Sequence, residues 1–350
     1  MAGPNAPLVG ACWRLPSGVG IDQRWWVMEL VSRKWLQLYT GRCNLALAGQ
    51  VSAQLGVELG QVDLVDFANG EIGCRFGTSV RGADVFILQS HGRPVNDAIM
   101  EQLIMIDAAK RASARRITAV CPCYGYARQD RKTEGREPIT ARLLADLLAA
   151  AGADRIVSID LHAGQIQGFF DGPVDHLTAM PVFVDYLRRR VAGRLVVVAP
   201  DAGRVKAAER FAQHLVADLA FVHKRHRAGV ANVVEARTVV GEVAGRTCVV
   251  VDDMIDTAGT LCAAAELLKA HGAAKMLAVA THPVLSGPAI GRLEASPLST
   301  VAVTDTLPLP DGQASSKLTV LSVAPILALA IRAVFEDSSV SEIFGGENQP

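Results

Sequence analysis

A field of one sign is missing from this chain: its 35 lysines and arginines balance 35 aspartates and glutamates. With no net charge, no global potential draws in nucleic acid or anionic lipid, and any anion site has to be local. Long apolar runs are missing too. The longest, around Leu318–Ile331, is broken by Ser322 and Pro325, and it falls short of the roughly 20 residues that a membrane helix needs. Paired cysteine motifs are absent. The seven cysteines are an odd number and none forms a CxxC pair. Cys121-Pro122-Cys123 is too tight for a zinc knuckle, so free thiols in a reducing compartment are expected. Val9-Gly10-Ala11-Cys12 lacks the basic start and apolar stretch of an export signal. These absences point to a cytoplasmic protein with neither a nucleic acid nor a membrane as partner. A GxxxxGK[ST] loop is also absent, so any nucleotide must be held without that phosphate cradle.

Tryptophan disappears after position 35: Trp13, Trp25, Trp26 and Trp35 are all four that the chain has. This composition break sets residues 1–35 apart as an N-terminal extension, expected to be poorly ordered. The segment reads either as a real extension or as upstream sequence, with Met28 as an alternative start. The remaining chain is rich in what a packed core needs. Half of the 350 residues are apolar and 20% are charged, a profile that suits a two-domain α/β protein.

From Leu36 onward, short β-branched runs alternate with helical periodicity. Asp84–Gln89, Ile117–Cys121, Arg155–Ile159, Leu195–Ala199, Thr247–Val251 and Met276–Ala280 read as strands apolar on both faces, which implies parallel sheets covered by helices. Asn96–Ala112, Thr140–Ala151, Val205–Leu215 and Thr260–His271 show the 3.6-residue period between them. The chain also repeats itself. Thr140–His162 aligns without gaps on Thr260–His282, with Leu147-Leu148 over Leu267-Leu268, Gly152 over Gly272 and His162 over His282. Each copy reads as a helix, a glycine stop, a strand and a histidine. The repeat implies two similar α/β domains, residues 36–180 and 181–324, with a seam near Pro181. A final helix around Pro325–Phe335 belongs to a segment, 325–344, that joins the first domain.

The sharpest chemical signal is Val249–Thr260, VVVDDMIDTAGT. A buried strand delivers Asp252 and Asp253 to its C-terminal edge, where open α/β sheets bind ligands. Asp256-Thr257-Ala258-Gly259-Thr260 then opens a helix, whose free N–H groups suit a phosphate. The acid pair is placed to accept hydrogen bonds from sugar hydroxyls. Arg128-Gln129-Asp130-Arg131 is the best local candidate for gripping nucleotide phosphates or stacking on a base. His162 and Asp201 end two different strands and offer themselves as metal ligands. Lys224 lies in the basic run His223–Arg227.

Val249–Thr260 resembles the ribose-phosphate signature shared by phosphoribosyltransferases and ribose-phosphate pyrophosphokinases. Phe67–Phe76, Tyr124–Lys132, Arg136–Ala141, Asp160–Phe170, Ala199–Gly203 and Thr281–Ala289 resemble pyrophosphokinase motifs in the order that family has them, from about Leu36 to Phe344. The resemblance implies two phosphoribosyltransferase-like domains, each a mainly parallel sheet flanked by helices. It implies transfer of the β,γ-diphosphate of ATP to ribose 5-phosphate, with Mg²⁺ held by His162 and Asp201 and Lys224 as the catalytic lysine on a mobile loop. ATP would be held by Arg128 and Gln129, with Phe67, Asn69, Gly70 and Glu71 clasping adenine from a neighbouring subunit of a homo-oligomer, a hexamer in the family. Asp252, Asp253, Asp256, Thr257, Ala258, Gly259 and Thr260 would hold ribose 5-phosphate. Phosphate or ADP as effectors is also implied, and Ser79, Arg81, Ser90 and Ser322 resemble phosphate-binding effector positions.

Two departures stand out. Asn69 replaces the family's usual aspartate, keeping an acceptor and adding donors. His226 stands where the family usually has an arginine that contacts ribose 5-phosphate, with Arg225 and Arg227 on either side, so any of the three is a candidate for that contact. Two rival readings share parts of the pattern. A nucleobase phosphoribosyltransferase accounts for Asp252–Thr260 but not for the repeated domains or Arg128–Lys132. A non-catalytic regulatory relative accounts for the fold, but such a subunit is expected to lose Lys224, His162 or the acid pair, and this chain keeps all of them.

Overall fold

The computed structural model describes residues 34–191, 193–225, 236–309 and 315–344. The extension therefore lies outside the described residues up to position 33. The chain first forms β1 (Leu36–Thr40), α1 (Leu45–Leu55), β2 (Val62–Asp66), β3 (Ile72–Phe76), β4 (Asp84–Leu88), α2 (Val95–Arg111), β5 (Arg116–Cys121), α3 (Thr140–Ala151), β6 (Arg155–Ile159) and β7 (Val174–Leu177). It continues with α4 (Met180–Arg190), β8 (Leu195–Ala199), α5 (Val205–Leu215), β9 (Asp218–Arg225), β10 (Ala236–Val240), β11 (Thr247–Ile255) and α6 (Gly259–Ala270). It closes with β12 (Lys275–Pro283), α7 (Ala289–Ala295), β13 (Thr300–Thr304), β14 (Leu318–Leu321) and α8 (Ala324–Glu336).

Among the described residues, one sheet has the order β1-β4-β5-β6-β7 and is parallel throughout. A second has the order β10-β9-β8-β11-β12-β13-β14, with only β10 antiparallel to its neighbour. β2 and β3 form a separate antiparallel hairpin. The expected two mainly parallel, helix-flanked sheets are thus present. The all-apolar runs explain them, since β4 and the inner strands β8, β11 and β12 are almost wholly buried.

Three apolar clusters hold the layers. Leu38, Phe86, Val157 and Ile159 of the first sheet meet Val197, Val249 and Val279 of the second through side chains of α1, α4, α5 and α8, including Val51, Phe183, Phe211 and Leu327. Met105, Ile106, Leu144 and Leu148 cover the other face of the first sheet. Leu261, Leu268 and Leu293 do the same for the second. The last helix, α8, packs on α1 near the start of the described chain.

The repeat has matching local structure at its turns. Gly152 ends α3 at φ +119° and Gly272 follows α6 at φ +81°, a left-handed conformation that a side chain would strain. A Cβ at Gly152 would also lie 2.5 Å from Lys110 Cδ. One expectation needs lengthening. β11 does not stop at Val251 but stays paired with β12 through Ile255, so Asp252 and Asp253 are strand residues.

Candidate active site

The C-terminal ends of β6, β8 and β11 meet at a cavity of about 590 Å³ lined by residues including His162, Asp201, Arg204, Asp252 and Asp253. β6 stops at Ile159 and the chain turns sharply at Asp160, whose φ is +38°. The Asp160 carboxylate accepts from Ala179 N at 3.0 Å and from Thr281 Oγ1 at 2.6 Å. His282 Nε2 lies 3.1 Å from Ile159 O and 3.2 Å from Asp160 O. The second sheet thereby fixes the strand end that presents His162. Beyond β8, Asp201 begins a short 3₁₀ turn, Ala202–Arg204, by accepting from Gly203 N at 2.9 Å.

The two acids of β11 are not equivalent. Asp253 is 7% exposed, and its Oδ2 lies 2.7 Å from His162 Nδ1 and 2.6 Å from Arg204 Nη2. Burial opposes the Asp253 charge, but the His162 hydrogen bond and the Arg204 charge outweigh it and hold this carboxyl below the usual range. Asp252 has a weaker cationic contact, Oδ1 at 3.3 Å from Arg204 Nε. Burial, and then the neighbouring Asp253 charge, push Asp252 upward.

Sequence alone did not single out Arg204. Its only signal was the run of bases Arg204, Lys206 and Arg210 just after Asp201, all three of which line the cavity.

The phosphate-type loop comes directly after the acid pair. Ala258 stands at φ +60° before α6, and no side chain caps that helix, so its first N–H groups remain available to an anion. The loop is braced from outside: Arg292 Nη1 donates to Thr257 O at 3.0 Å and Ser286 N donates to Asp256 O at 2.8 Å. Thr257 and Thr260 are exposed, and Ala258 is buried. Arg128 Nη2 reaches Asp256 Oδ2 at 2.8 Å, joining the nucleotide candidate to the sugar-phosphate candidate. Gln129 Oε1 accepts from Thr140 Oγ1 at 2.6 Å at the start of α3.

The remaining candidates fall elsewhere. Phe67, Asn69, Gly70 and Glu71 form the exposed tip of the β2–β3 hairpin, where Asn69 Oδ1 accepts from Glu71 N at 3.2 Å. None of the four lines the cavity. Lys224 lies on β9, its backbone in register with Arg237 of β10, and its side chain lies outside the description. His226 and Arg227 lie outside the described residues. Ser90 is a correction. It is fully buried and its hydroxyl donates to Thr306 O at 2.6 Å, so it cannot serve a surface phosphate. The buried seam between the sheets uses it instead.

Residues 36–152 match the family model described as the N-terminal domain of ribose phosphate pyrophosphokinase. Residues 230–345 match the phosphoribosyl synthetase-associated domain. A ribose-phosphate pyrophosphokinase of Bifidobacterium longum is 58% identical over 322 residues, which cover 91% of this chain and 95% of the relative. The chain belongs to the ribose-phosphate pyrophosphokinase family. Another family member, from Mycobacterium tuberculosis, is 55% identical over 318 residues, covering 90% of this chain and 98% of the relative. The crystal structure of phosphoribosylpyrophosphate synthetase from Mycobacterium smegmatis matches with a TM-score of 0.82 at 53% identity, covering 87% of this chain and 99% of that one. Within the ribose-phosphate pyrophosphokinase fold, the cavity at the strand ends of both sheets is where the sequence candidates His162, Asp201, Asp252 and Asp253 converge.

Proposed function

We propose that this chain transfers the β,γ-diphosphate of ATP to the anomeric hydroxyl of ribose 5-phosphate, giving 5-phosphoribosyl 1-diphosphate and AMP for nucleotide biosynthesis. The observation that carries this reading is the meeting of His162, Asp201, Asp252 and Asp253, drawn from both sheets, at one cavity. The uncapped N-terminus of α6 comes next in the chain. In this reading Asp256–Thr260 seats the 5-phosphate and the acid pair orients the ribose hydroxyls, with Asp252 the less encumbered of the two. Arg128 and Gln129 hold ATP. Lys224 neutralises charge that develops on the β-phosphoryl oxygens and on the departing AMP. The sugar hydroxyl attacks the β-phosphorus in line, and positioning with electrostatics supplies the rate. The 5-phosphate contact usual for the position of His226 falls to His226, Arg225 or Arg227.

His162 and Asp201 fit Mg²⁺. Both hydrogen-bond contacts of His162 use Nδ1, and a carboxylate on one ring nitrogen is the arrangement that orients the other toward a metal. Among the described residues no three His, Cys, Asp or Glu side chains gather into a complete metal site. A sparse protein shell suits magnesium, which keeps waters and takes oxygens from nucleotide phosphates. When bound, Mg²⁺ supplies positive charge to the phosphate oxygens.

The same reading divides the chain into 36–180 with 325–344, and 181–324, which the two sheets and the packing of α8 on α1 support. The exposed hairpin tip, with Phe67 55% exposed, suits a clasp on the adenine of a neighbouring subunit, hence a homo-oligomer, hexameric by resemblance. Phosphate and ADP are the proposed effectors, with Ser79, Arg81 and Ser322 still candidates. No helix among the described residues is long and apolar enough to cross a membrane, and we place the enzyme in the cytoplasm.

Incubating purified protein with ATP and ribose 5-phosphate tests the reading. AMP is expected to accumulate one-for-one with the sugar diphosphate. ADP as the primary nucleotide product would overturn it.

A further inference from the structure

The acid pair of β11 already holds a cation of the protein's own. Arg204 Nη2 lies 2.6 Å from Asp253 Oδ2, and Nε lies 3.3 Å from Asp252 Oδ1. The side chain is only 16% exposed, inside the cavity. Its backbone ends the 3₁₀ turn that begins at Asp201, so one short turn presents both an acid and a base to the site. A guanidinium keeps its charge at any physiological pH. Placed here, it offsets the repulsion between two neighbouring, largely buried carboxylates.

The arrangement leaves one contact unsatisfied. Arg204 Nη2 lies 2.8 Å from His162 Nδ1, and the same Nδ1 lies 2.7 Å from Asp253 Oδ2. Arginine only donates and an ionised carboxylate only accepts. If Nδ1 carries the proton, it bonds to Asp253 and meets Arg204 donor to donor. If Nδ1 is bare, it bonds to Arg204 and meets Asp253 acceptor to acceptor. The three groups cannot all be paired at once, and removing Arg204 from between them relieves the conflict.

We propose that Arg204 is the resident counter-ion of Asp252 and Asp253, competing with a divalent cation for the negative potential of this site. On this view the substrate-free site binds divalent metal weakly because the guanidinium already neutralises it. Entry of an anionic diphosphate, which offers Arg204 an alternative bidentate partner, frees the carboxylates. The inference rests on reading the cavity as the diphosphate-transfer site, but its test needs no turnover.

The measurement is Mn²⁺ binding to the substrate-free protein, by electron paramagnetic resonance of free Mn²⁺, for wild type, Arg204→Lys and Arg204→Gln. One opposite charge within a few ångströms is worth about one to three powers of ten in such equilibria. Arg204→Gln is therefore expected to bind Mn²⁺ at least about tenfold more tightly. Arg204→Lys, a point charge that cannot bridge both acids, should fall between. The rise in Tm on adding Mg²⁺ should be larger in Arg204→Gln than in wild type. Unchanged or weaker Mn²⁺ binding in Arg204→Gln would overturn the proposal. If Arg204→Gln folds only when Mg²⁺ is present, the metal has replaced the guanidinium and the proposal stands. If it folds under neither condition, Arg204→Met, which removes the charge but keeps the length, decides: Mn²⁺ affinity equal to wild type refutes competition, and tighter binding supports it. Failure of the AMP assay with tighter Mn²⁺ binding in Arg204→Gln would sink the proposed reaction and leave the counter-ion intact.

Discussion

The two copies of the internal repeat end on the same residue and put it to opposite uses. His162 closes the α3–β6 copy with its side chain 32% exposed to the cavity and bonded to Asp253. His282 closes the α6–β12 copy at 3% exposure, held by Thr306 Oγ1 at 3.0 Å and by the carbonyls of Ile159 and Asp160. Strand length makes the difference. β6 stops at Ile159, so His162 lies beyond the sheet, whereas β12 runs on to Pro283 and keeps His282 inside it. The later copy's histidine thus braces the backbone that presents the earlier copy's histidine. The repeat puts a histidine at the same position in each copy, and a few extra ladder bonds in β12 turn the second into a support.

That contrast is broken most forcefully at His162. His162→Ala is expected to lower turnover on the order of a hundredfold, while Tm stays close to wild type, measured by steady-state AMP formation and thermal unfolding. If the variant instead unfolded early and the surviving folded protein turned over normally, His162 would be the support. His282→Ala is expected to show the reverse pattern. Loss of a fully buried, multiply bonded ring should cost about 2–3 kcal/mol in denaturant unfolding. The folded fraction should lose much less turnover than His162→Ala does. A turnover defect as deep as that of His162→Ala, without a stability loss, would erase the distinction.

A third histidine sharpens the comparison through pH. His91 Nδ1 accepts from Gly125 N at 2.9 Å, so Nε2 carries the proton toward Gln102 Oε1 at 2.8 Å. The ring is neutral, and burial pushes its pKa down to about 4. Its folded-state pKa lies below the unfolded value near 6.5, so its contribution is complete above that pH and declines as pH falls toward 4. The expected slope is at most about 1.4 kcal/mol per pH unit. Urea unfolding between pH 7 and pH 4 should show it, and His91→Gln should flatten that limb. A limb unchanged in the variant would mean that other groups set the acid sensitivity. The smallest effect is expected from Thr281→Val, which removes the bond to Asp160 but leaves the one from Ala179. About 1 kcal/mol of stability should be lost, and a neutral result would mean that the Thr281 hydroxyl does not help hold the end of β6.

Much of this was legible in the sequence because the signals were local. Near-continuous apolar runs gave parallel strands such as Leu195–Ala199 and Arg155–Ile159 at their observed limits. Glycine stops after α3 and α6 marked the helix ends, and the acid pair with its small-residue turn marked the phosphate-type loop. What stayed hidden depended on contacts across the chain. Nothing near Asp253 announces that its partner is His162, 91 positions away. Nothing near Ser90 announces the Thr306 carbonyl that buries its hydroxyl. Nothing in the sequence set Arg204 apart, because only the turn that begins at Asp201 folds it back onto the acids of β11. The extent of β11 was understated because Asp252 and Asp253 interrupt its apolar run, and only pairing with β12 carries the strand past them to Met254 and Ile255.

The most direct test tracks the β-phosphorus. ATP labelled there should deliver the label to the sugar product, leaving AMP unlabelled, because the diphosphate moves as a unit to ribose 5-phosphate. Label remaining with the nucleotide while the sugar gains a single phosphate would contradict diphosphate transfer at this cavity.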